Sequence, residues 1–169
     1  MAVEKRYEFE EAGMLSVFSM GMPGKRTFFL AIGQKDKWVR VWLEKYVLET
    51  LPAAVDEFMV TLTREHLIAG SDRHDKPGSE DKPSGMPAAE LEIDEMTLGY
   101  DHDKATMMLL AHSIGPQRLD GIELFAWVSL PKLEKLSAQA QKIIAAGRPI
   151  CSLCGTPIDP KGHICPGGN

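Results

Sequence analysis

The 169-residue sequence has three cysteines, no long apolar segment and no excess of positive charge. No apolar run reaches the roughly 18 residues that a membrane-spanning helix needs. The first ten residues are charged throughout and lack the apolar core of a signal peptide, so we expect a cytoplasmic protein without membrane association. The net charge of −5 argues against nucleic acid as a general partner, because binding phosphates needs a basic surface.

All three cysteines lie near the end of the chain, at Cys151, Cys154 and Cys165. A secreted disulfide scaffold would instead distribute an even number of cysteines along the whole sequence. This usage predicts metal binding in a reducing compartment.

The remaining composition is that of a folded protein, with 44% apolar and 25% charged residues. Residues 70–89 are polar and rich in glycine and proline, which predicts a mobile acidic loop. The segment Asp72 to Glu95 carries eight acids and three bases, which accounts for the whole net charge. We therefore predict an α+β domain over residues 1–148 and a zinc-binding tail over 149–169.

Local patterns predict seven strands and two helices. Period-two alternation and turn residues favour strands over 7–10, 14–20, 27–32, 38–43, 91–100, 105–114 and 122–128. Apolar residues at steps of three and four favour helices over 45–65 and 130–146. Pro52 falls inside the first helix, so we expect a short first turn and a second start near this proline. Ser129 and Gly147 are suited to cap the second helix.

The two halves of the sequence resemble each other. At an offset of 85 positions Trp42 aligns with Trp127, and the apolar stripes of the two predicted helices also align. At an offset of 79 positions, residues 27–31 align with residues 106–110. We predict an antiparallel sheet built from two duplicated βββα units with both helices on one face, followed by a small zinc-knuckle-like module. The simpler alternative is that any two strand–helix units share such periodicity.

The C-terminal segment contains a pattern typical of a zinc site: Cys151-x-x-Cys154, then His163-x-Cys165. Zinc binds thiolates and imidazole in a tetrahedron, and these two pairs supply four ligands. His163 and Cys165 are two positions apart, so an extended segment points both side chains the same way. Four protein ligands leave no position for a substrate water, which favours a structural site over a catalytic one.

Two other kinds of site use similar cysteine motifs. A redox Cys-x-x-Cys belongs at a strand–helix junction, whereas this motif follows the last helix. A [4Fe–4S] cluster would need four cysteines. The spacing does not distinguish zinc from a single iron ion in the same tetrahedron.

A second candidate site comprises Lys25, Arg26, Asp101, His102 and Asp103. Lys25 and Arg26 lie in a short basic turn that could contact a phosphate, and the other three could form an acid–base cluster. A solvated hairpin turn is the simpler interpretation of residues 101–103. The chain has no nucleophile elbow, Walker loop or dinucleotide fingerprint, so we assign no catalytic residue and no organic cofactor.

Several motifs resemble those of one bacterial family. They are Arg26-Thr27-Phe28-Phe29-Leu30, Leu43-Glu44-Lys45, Leu98-Gly99-Tyr100-Asp101, and the segment from Ala145 to Pro166. The family is catalogued as domain of unknown function 3090. The resemblance supports the four zinc ligands position by position and supplies no catalytic residue. It also implies a link to phosphorylation, because members tend to be encoded beside a histidine-phosphatase-like and a kinase-like protein.

Our leading hypothesis is a non-enzymatic binding or adaptor protein. Its α+β domain would present a surface, and its structural zinc module would either rigidify the C-terminus or dock a protein partner. One alternative is an enzyme acting on a phosphorylated or nucleotide-like small molecule, which requires the basic turn and the Asp101 turn to converge in space. The other alternative is an RNA-binding zinc-knuckle protein, which requires a basic, aromatic face.

Overall fold

The computed structural model of the chain describes residues 6–22, 24–67, 82–112, 122–147, 150–156, 158 and 162–167. In these ranges the strands are β1 (Tyr7–Phe9), β2 (Met14–Met20), β3 (Thr27–Gly33), β4 (Trp38–Leu43), β5 (Ala89–Ile93), β6 (Glu95–Asp101), β7 (Thr106–His112) and β8 (Ile122–Val128). The helices are α1 (Lys45–Arg64) and α2 (Leu130–Ala145). Neither helix in these ranges combines the length and the apolar character needed to cross a bilayer. The predicted α+β class is confirmed.

The strands form two four-stranded sheets, so the prediction of a single antiparallel sheet is wrong. The first sheet has the order β2-β3-β4-β5, and the second has the order β1-β8-β7-β6. Three strands of each sheet are antiparallel, while β5 runs parallel to β4 and β1 runs parallel to β8. The predicted strand over 91–100 divides at Asp94 into β5 and β6, which belong to different sheets. Alternation along a strand does not reveal its pairing partner, and this is the cause of the error.

The two sheets share one layout, which agrees with the predicted duplication. In the first sheet Phe29 of β3 pairs with Trp42 of β4, and in the second Met108 of β7 pairs with Trp127 of β8. These pairs are related by the offsets of 79 and 85 positions found in the sequence. The strand that completes each sheet comes from a different place in the chain. In the first sheet it is β5, which follows α1, and in the second it is β1, which precedes both repeats.

The two helices pack against each other and reach both sheets. Helix α2 packs against β2, and α1 packs against β6 and β3. The prediction that both helices cover one face of a single sheet is therefore wrong. Their buried apolar stripes join the inward-facing residues of both sheets in one core. The largest fully buried side chains of the protein include Leu30, Leu48, Leu109, Leu124, Leu133 and Leu136.

Helix α1 runs without interruption through Pro52, so the expected second start near this proline is wrong. A proline in a helix lacks the N–H that would bond to the carbonyl four residues earlier, at a cost of about 3 kcal/mol. Pro52 is itself buried, next to the buried Leu51, and Val55 follows on the same stripe. Burial of this stripe in the core offsets the lost hydrogen bond, because each large apolar side chain contributes about 1.5–3 kcal/mol.

The outer face of the first sheet carries a smaller apolar cluster around Arg40. Met14, Phe29, Ala31 and Trp38 are buried there, with Phe18 and Trp42 packed against them. The Arg40 guanidinium lies 4.9 Å from the ring centre of Phe29, and its Nη1 is 2.8 Å from a carboxylate oxygen of Glu90 on β5. Arg40 thereby contacts three strands of this sheet through cation–π and ionic interactions.

Most of the predicted acidic loop over 70–89 lies outside the described residues. Its described end is attached to the first sheet: the Ser84 N–H donates to the Lys35 carbonyl at 2.9 Å, and the Trp38 indole donates to the Ser84 carbonyl at 3.1 Å. The Ala88 N–H then donates to the Trp38 carbonyl, 2.8 Å away, just before β5 begins.

Equivalent core positions of the two repeats should be equally critical for stability. Leu48 of α1 and Leu133 of α2 are aligned by the offset of 85 and are both fully buried. We expect Leu48→Ala and Leu133→Ala each to lower the free energy of unfolding by about 2–5 kcal/mol, because each leaves a cavity in the shared core. Urea denaturation followed by circular dichroism measures this change.

The matched control is Val60→Ala on α1, where the side chain is 51% exposed. This change should shift the free energy of unfolding by no more than about 0.5 kcal/mol, as at most surface positions. A core variant as stable as the Val60→Ala protein would contradict the shared core.

Candidate metal centre

Four side chains near the C-terminus converge on one point. Cys151, Cys154, His163 and Cys165 place one ligand atom each, all within 4.8 Å of one another. Cys151 Sγ lies 3.7 Å from Cys165 Sγ, and Cys154 Sγ lies 3.4 Å from His163 Nε2. The set predicted from the sequence is thus the set that the structure brings together, and it could hold a metal ion.

Local turns, rather than regular elements, position these ligands. The Gly155 N–H donates to the Cys151 carbonyl at 2.9 Å, which closes the turn holding the first two cysteines. The Cys151 N–H donates in turn to the Thr156 carbonyl at 2.9 Å. Gly155 has a φ of 72°, a left-handed conformation that glycine adopts without strain. Gly162 has a φ of 88° and immediately precedes His163, so a second such bend directs the chain back to the cluster.

The environment of Cys154 favours its thiolate. The Thr156 hydroxyl lies 2.9 Å from Cys154 Sγ, and hydrogen bonds from Thr156 and then from His163 lower the pKa of this thiol to about 6. Metal binding requires a deprotonated sulfur, so a thiolate already present at neutral pH favours binding there.

Cys165 shifts the opposite way. The Gly167 N–H donates to its sulfur and lowers its pKa, but burial and the nearby sulfurs of Cys154 and Cys151 outweigh this contact, and the pKa of Cys165 is raised above its ordinary value. The sulfurs of Cys154 and Cys151 that raise the pKa of Cys165 lie close enough to it to share one cation, which would relieve the repulsion among the thiolates.

Thr156 is a functional residue that sequence reasoning missed. It directly follows the Cys-x-x-Cys-Gly turn and both accepts from Cys151 through its carbonyl and contacts Cys154 through its hydroxyl. The sequence does contain one sign of this role, a hydroxyl residue directly after the turn glycine. The ligand spacing that predicts the metal site does not include this residue.

Of the second candidate site, Lys25 and Arg26 lie in the β2–β3 turn. Lys25 is exposed, whereas Arg26 is partly buried. Arg26 Nη1 donates to the Ile143 carbonyl at the end of α2 at 2.9 Å, and its guanidinium lies 5.2 Å from the Phe28 ring centre. A Cβ atom at Gly147 would lie 2.7 Å from Arg26 Nη2, so the glycine makes room for this contact. Arg26 therefore stabilises the negative end of the α2 dipole.

Asp101 is the last residue of β6, and His102 and Asp103 lie in the turn between β6 and β7. Asp101 accepts a hydrogen bond from the Trp127 indole at 2.8 Å and from the backbone N–H groups of Asp103 and Lys104. The Trp127 bond, followed by the Lys104 N–H, lowers the pKa of Asp101. His102 and Asp103 are exposed. The contacts agree with the simpler interpretation of a hairpin turn.

The contacts described for the two turns have no residue in common. Arg26 contacts the first sheet and the end of α2, whereas Asp101 contacts Trp127 in the second sheet. Their convergence into one site stays a prediction.

Arg26 also lines a cleft of about 700 Å³ at the end of the first sheet. The cleft lies between the start of α1, the C-terminal ends of β4 and β5, and the segment that leads into the cysteine cluster. Its other lining residues are Gly24, Thr27, Phe28, Trp42, Leu43, Glu44, Lys45, Glu92, Ile93, Asp94, Gly147 and Ile150. Lys25, Asp101, His102 and Asp103 are not among the lining residues.

The fold defines an α+β protein with two mixed four-stranded sheets. Its cluster of three cysteines and one histidine fits a zinc-knuckle-like module. The chain belongs to the family described as Protein of unknown function (DUF3090), whose model matches residues 7–165. The match spans both sheets, both helices and the four clustered ligands, which confirms the resemblance noted in the sequence. No curated protein and no solved structure gives a significant match.

Loss of one clustered sulfur should abolish metal binding. We expect the purified protein to carry one metal ion per chain and the Cys154→Ser variant to carry far less, because three ligands remain of four. Plasma emission spectroscopy on protein prepared without chelator measures the content. Ser152→Ala, an exposed position inside the same turn, should keep full occupancy. Metal-free parent protein, or equal content in the Cys154→Ser protein, would contradict the site.

The two shifted thiols should differ in reactivity once metal is removed. Because the pKa of Cys154 is about 6, its thiolate fraction rises from about pH 5 to about pH 7 and is nearly complete above that range. Cys165, with its raised pKa, should stay protonated at neutral pH. Iodoacetamide labelling across this range, read by peptide mass spectrometry, should modify Cys154 first. A common midpoint for both cysteines would refute the assignment.

Proposed function

We propose that the protein is a non-enzymatic, zinc-binding adaptor whose C-terminal module docks a protein partner. The observation that carries this proposal is the complete cluster of Cys151, Cys154, His163 and Cys165. The remaining support comes from the donor geometry, from the exposed apolar residues of the module, and from the contacts that engage the second candidate site.

Zinc fits the donor set, because it binds thiolates and imidazole in a tetrahedron. In a tetrahedral site with Zn–S bonds of about 2.3 Å and Zn–N bonds of about 2.0 Å, two sulfurs lie about 3.8 Å apart, and a sulfur and a nitrogen about 3.5 Å apart. The distances here are 3.7 Å between Cys151 Sγ and Cys165 Sγ, and 3.4 Å between Cys154 Sγ and His163 Nε2. Two of the six ligand distances thus match a zinc tetrahedron, and because all four atoms lie within 4.8 Å of one another, the cluster would contract by about 1 Å at most to accept the ion.

A structural role for the ion follows from the number of ligands. Three thiolates and one imidazole complete a tetrahedron, so a bound zinc would have no open position for water or substrate. The ion would instead fix two irregular turns, at whose glycines, Gly155 and Gly162, an added Cβ would meet no atom of the described residues within 4 Å. Holding short irregular segments together is what structural zinc sites contribute to folding.

The module presents large apolar side chains to solvent. Ile150 and Leu153 are each 69% exposed, and Ile164 is 98% exposed. Each stands next to a metal ligand in the sequence, so the ion that orders the ligands also orders these side chains. Apolar side chains held rigidly at a surface are typical of protein–protein contacts, and we propose that they bind the partner.

The contacts of the second candidate site favour a binding protein over an enzyme. Arg26 donates to the Ile143 carbonyl and lies over the Phe28 ring, contacts that hold the end of α2 in place. Asp101 accepts from the Trp127 indole and from the N–H of Asp103, contacts that hold the hairpin in place. The link to a phosphorylation-related pathway rests on the family resemblance alone and forms one arm of the test.

The test compares Ile164→Ser with the parent protein, because serine removes the most exposed apolar side chain and leaves all four ligands in place. Tagged protein is crosslinked in cells, and recovered partners are quantified by mass spectrometry. We expect a partner crosslinked to the module to be recovered with the parent and with Ser152→Ala, but at least about tenfold less with Ile164→Ser at unchanged zinc content. Identification of the partner shows whether it is kinase-like or phosphatase-like.

Equal recovery with the parent and the Ile164→Ser protein would refute docking through the module. Recovery that falls only when Cys154→Ser removes the metal would show that the ion supports folding without a partner surface beside it. Metal other than zinc in the parent, detected by plasma emission, would refute the choice of ion.

A further inference from the structure

A groove of about 710 Å³ lies between α1 and β6, and none of its described lining residues belongs to the C-terminal module. Its walls include Ala54 and Phe58 from the helix and Met96 and Leu98 from the strand. Strand β6 is an edge strand of the second sheet, so one side of its backbone has no neighbouring strand among the described residues. An edge of this kind is a template for pairing with another chain.

In the other repeat, the helix and its side chains cover the equivalent edge strand. There α2 packs against β2, the edge strand of the first sheet, and Gln139 Oε1 accepts a hydrogen bond from the Val17 N–H at 3.1 Å. Gln139 aligns with Ala54 at the offset of 85 that relates Trp42 to Trp127. In one repeat a glutamine covers the edge of the sheet, and in the other an alanine occupies its place.

The backbone register matches as well. Val17 pairs with Leu30 in the first sheet, and Leu98 pairs with Leu109 in the second, with β3 and β7 related by the offset of 79. Leu98 therefore occupies the position of Val17, whose N–H points outward to Gln139, and the same register directs the Leu98 N–H to the outer edge of the second sheet. At the place of the Gln139 amide stands the methyl group of Ala54, which has no acceptor to offer.

The described residues at the rim of the groove carry one sign of charge. Glu57, Asp94 and Glu95 line it, and no lysine, arginine or histidine lines it in the part of the chain that the structure describes. Glu57 and Glu95 are exposed, so their carboxylates face solvent at the mouth of the groove. The apolar wall formed by Phe58, Met96 and Leu98 lies between them and the core.

From these observations we infer that the groove binds an extended basic peptide segment, which adds a strand along the outer edge of β6. The peptide carbonyls would accept from outward N–H groups such as that of Leu98. In an extended strand alternate side chains point to opposite sides, so apolar side chains would contact the groove wall while lysines or arginines meet the acidic rim. This inference is independent of the proposed role of the zinc module.

The probe for this site is a fluorescein-labelled peptide of alternating lysine and valine, nine residues long, with an alternating glutamate–valine peptide as its acidic counterpart. Fluorescence anisotropy measures binding to the full-length, metal-loaded protein. We expect the basic peptide to bind and the acidic one to bind at least about tenfold more weakly. The Leu98 amide should also exchange its hydrogen more slowly when the basic peptide is bound.

The decisive variant is Ala54→Gln, which introduces the residue that the other repeat has at the aligned position, Gln139. It should weaken binding of the basic peptide at least about tenfold, because the new side chain covers the Leu98 N–H and fills the groove without changing the net charge. Ala53→Gln is the matched control: it makes the same change at the adjacent position, which is exposed on α1 but does not line the groove. This control should bind like the parent.

Equal effects of the two variants, or no effect of either, would overturn the inference, as would acidic and basic peptides that bind equally. Unchanged hydrogen exchange at Leu98 in the complex would rule out strand addition even if the peptide binds. That measurement uses the parent protein and so does not depend on the folding of a variant.

Discussion

Burial of the α1 and α2 stripes against each other and against both sheets is the interaction on which the rest of the structure depends. An amphipathic helix gains most of its stability from such packing rather than from its own hydrogen bonds. Because each helix also approaches one edge strand, the same packing decides which strand edges are covered. It closes the edge of β2 with Gln139 and leaves a groove beside β6. The core and the surface features are therefore set by one arrangement.

The end of α2 connects this core to the cysteine cluster. Arg26, from a hairpin of the first sheet, bonds to the Ile143 carbonyl, and Gly147 leaves space for the guanidinium. A charged donor at a helix C-terminus compensates carbonyls that have no partner within the helix. The first ligand, Cys151, follows Gly147 by four residues in the sequence, and Ile150 lines the same cleft as Arg26.

The sequence predicts those features of the structure that neighbouring residues determine, and it does not predict those that depend on residues far away in the chain. Strands β2, β4 and β8 have the predicted bounds because alternation and flanking turn residues mark both ends, and the ligands were found because their spacing is itself the signal. The division at Asp94 and the parallel pairing of β1 with β8 could not be predicted, because a strand's partner lies far away in the chain. Tertiary burial likewise overrode the helix-breaking tendency of Pro52, and Thr156 contributes through a hydrogen bond that no spacing rule describes.

The parallel pairing of β1 with β8 interlocks the two repeats. Tyr7 pairs with Leu124, so the strand at the start of the described chain completes the sheet of the repeat that comes second. During synthesis β1 emerges first, but its partner follows only after the entire first sheet and α1 have been made. Such distant pairing raises the contact order and slows folding. The sheet of the second repeat includes β1, which precedes the first repeat in the sequence. Cutting the chain between β5 and β6 would therefore not release two complete halves. We expect the protein to fold and unfold as one cooperative unit.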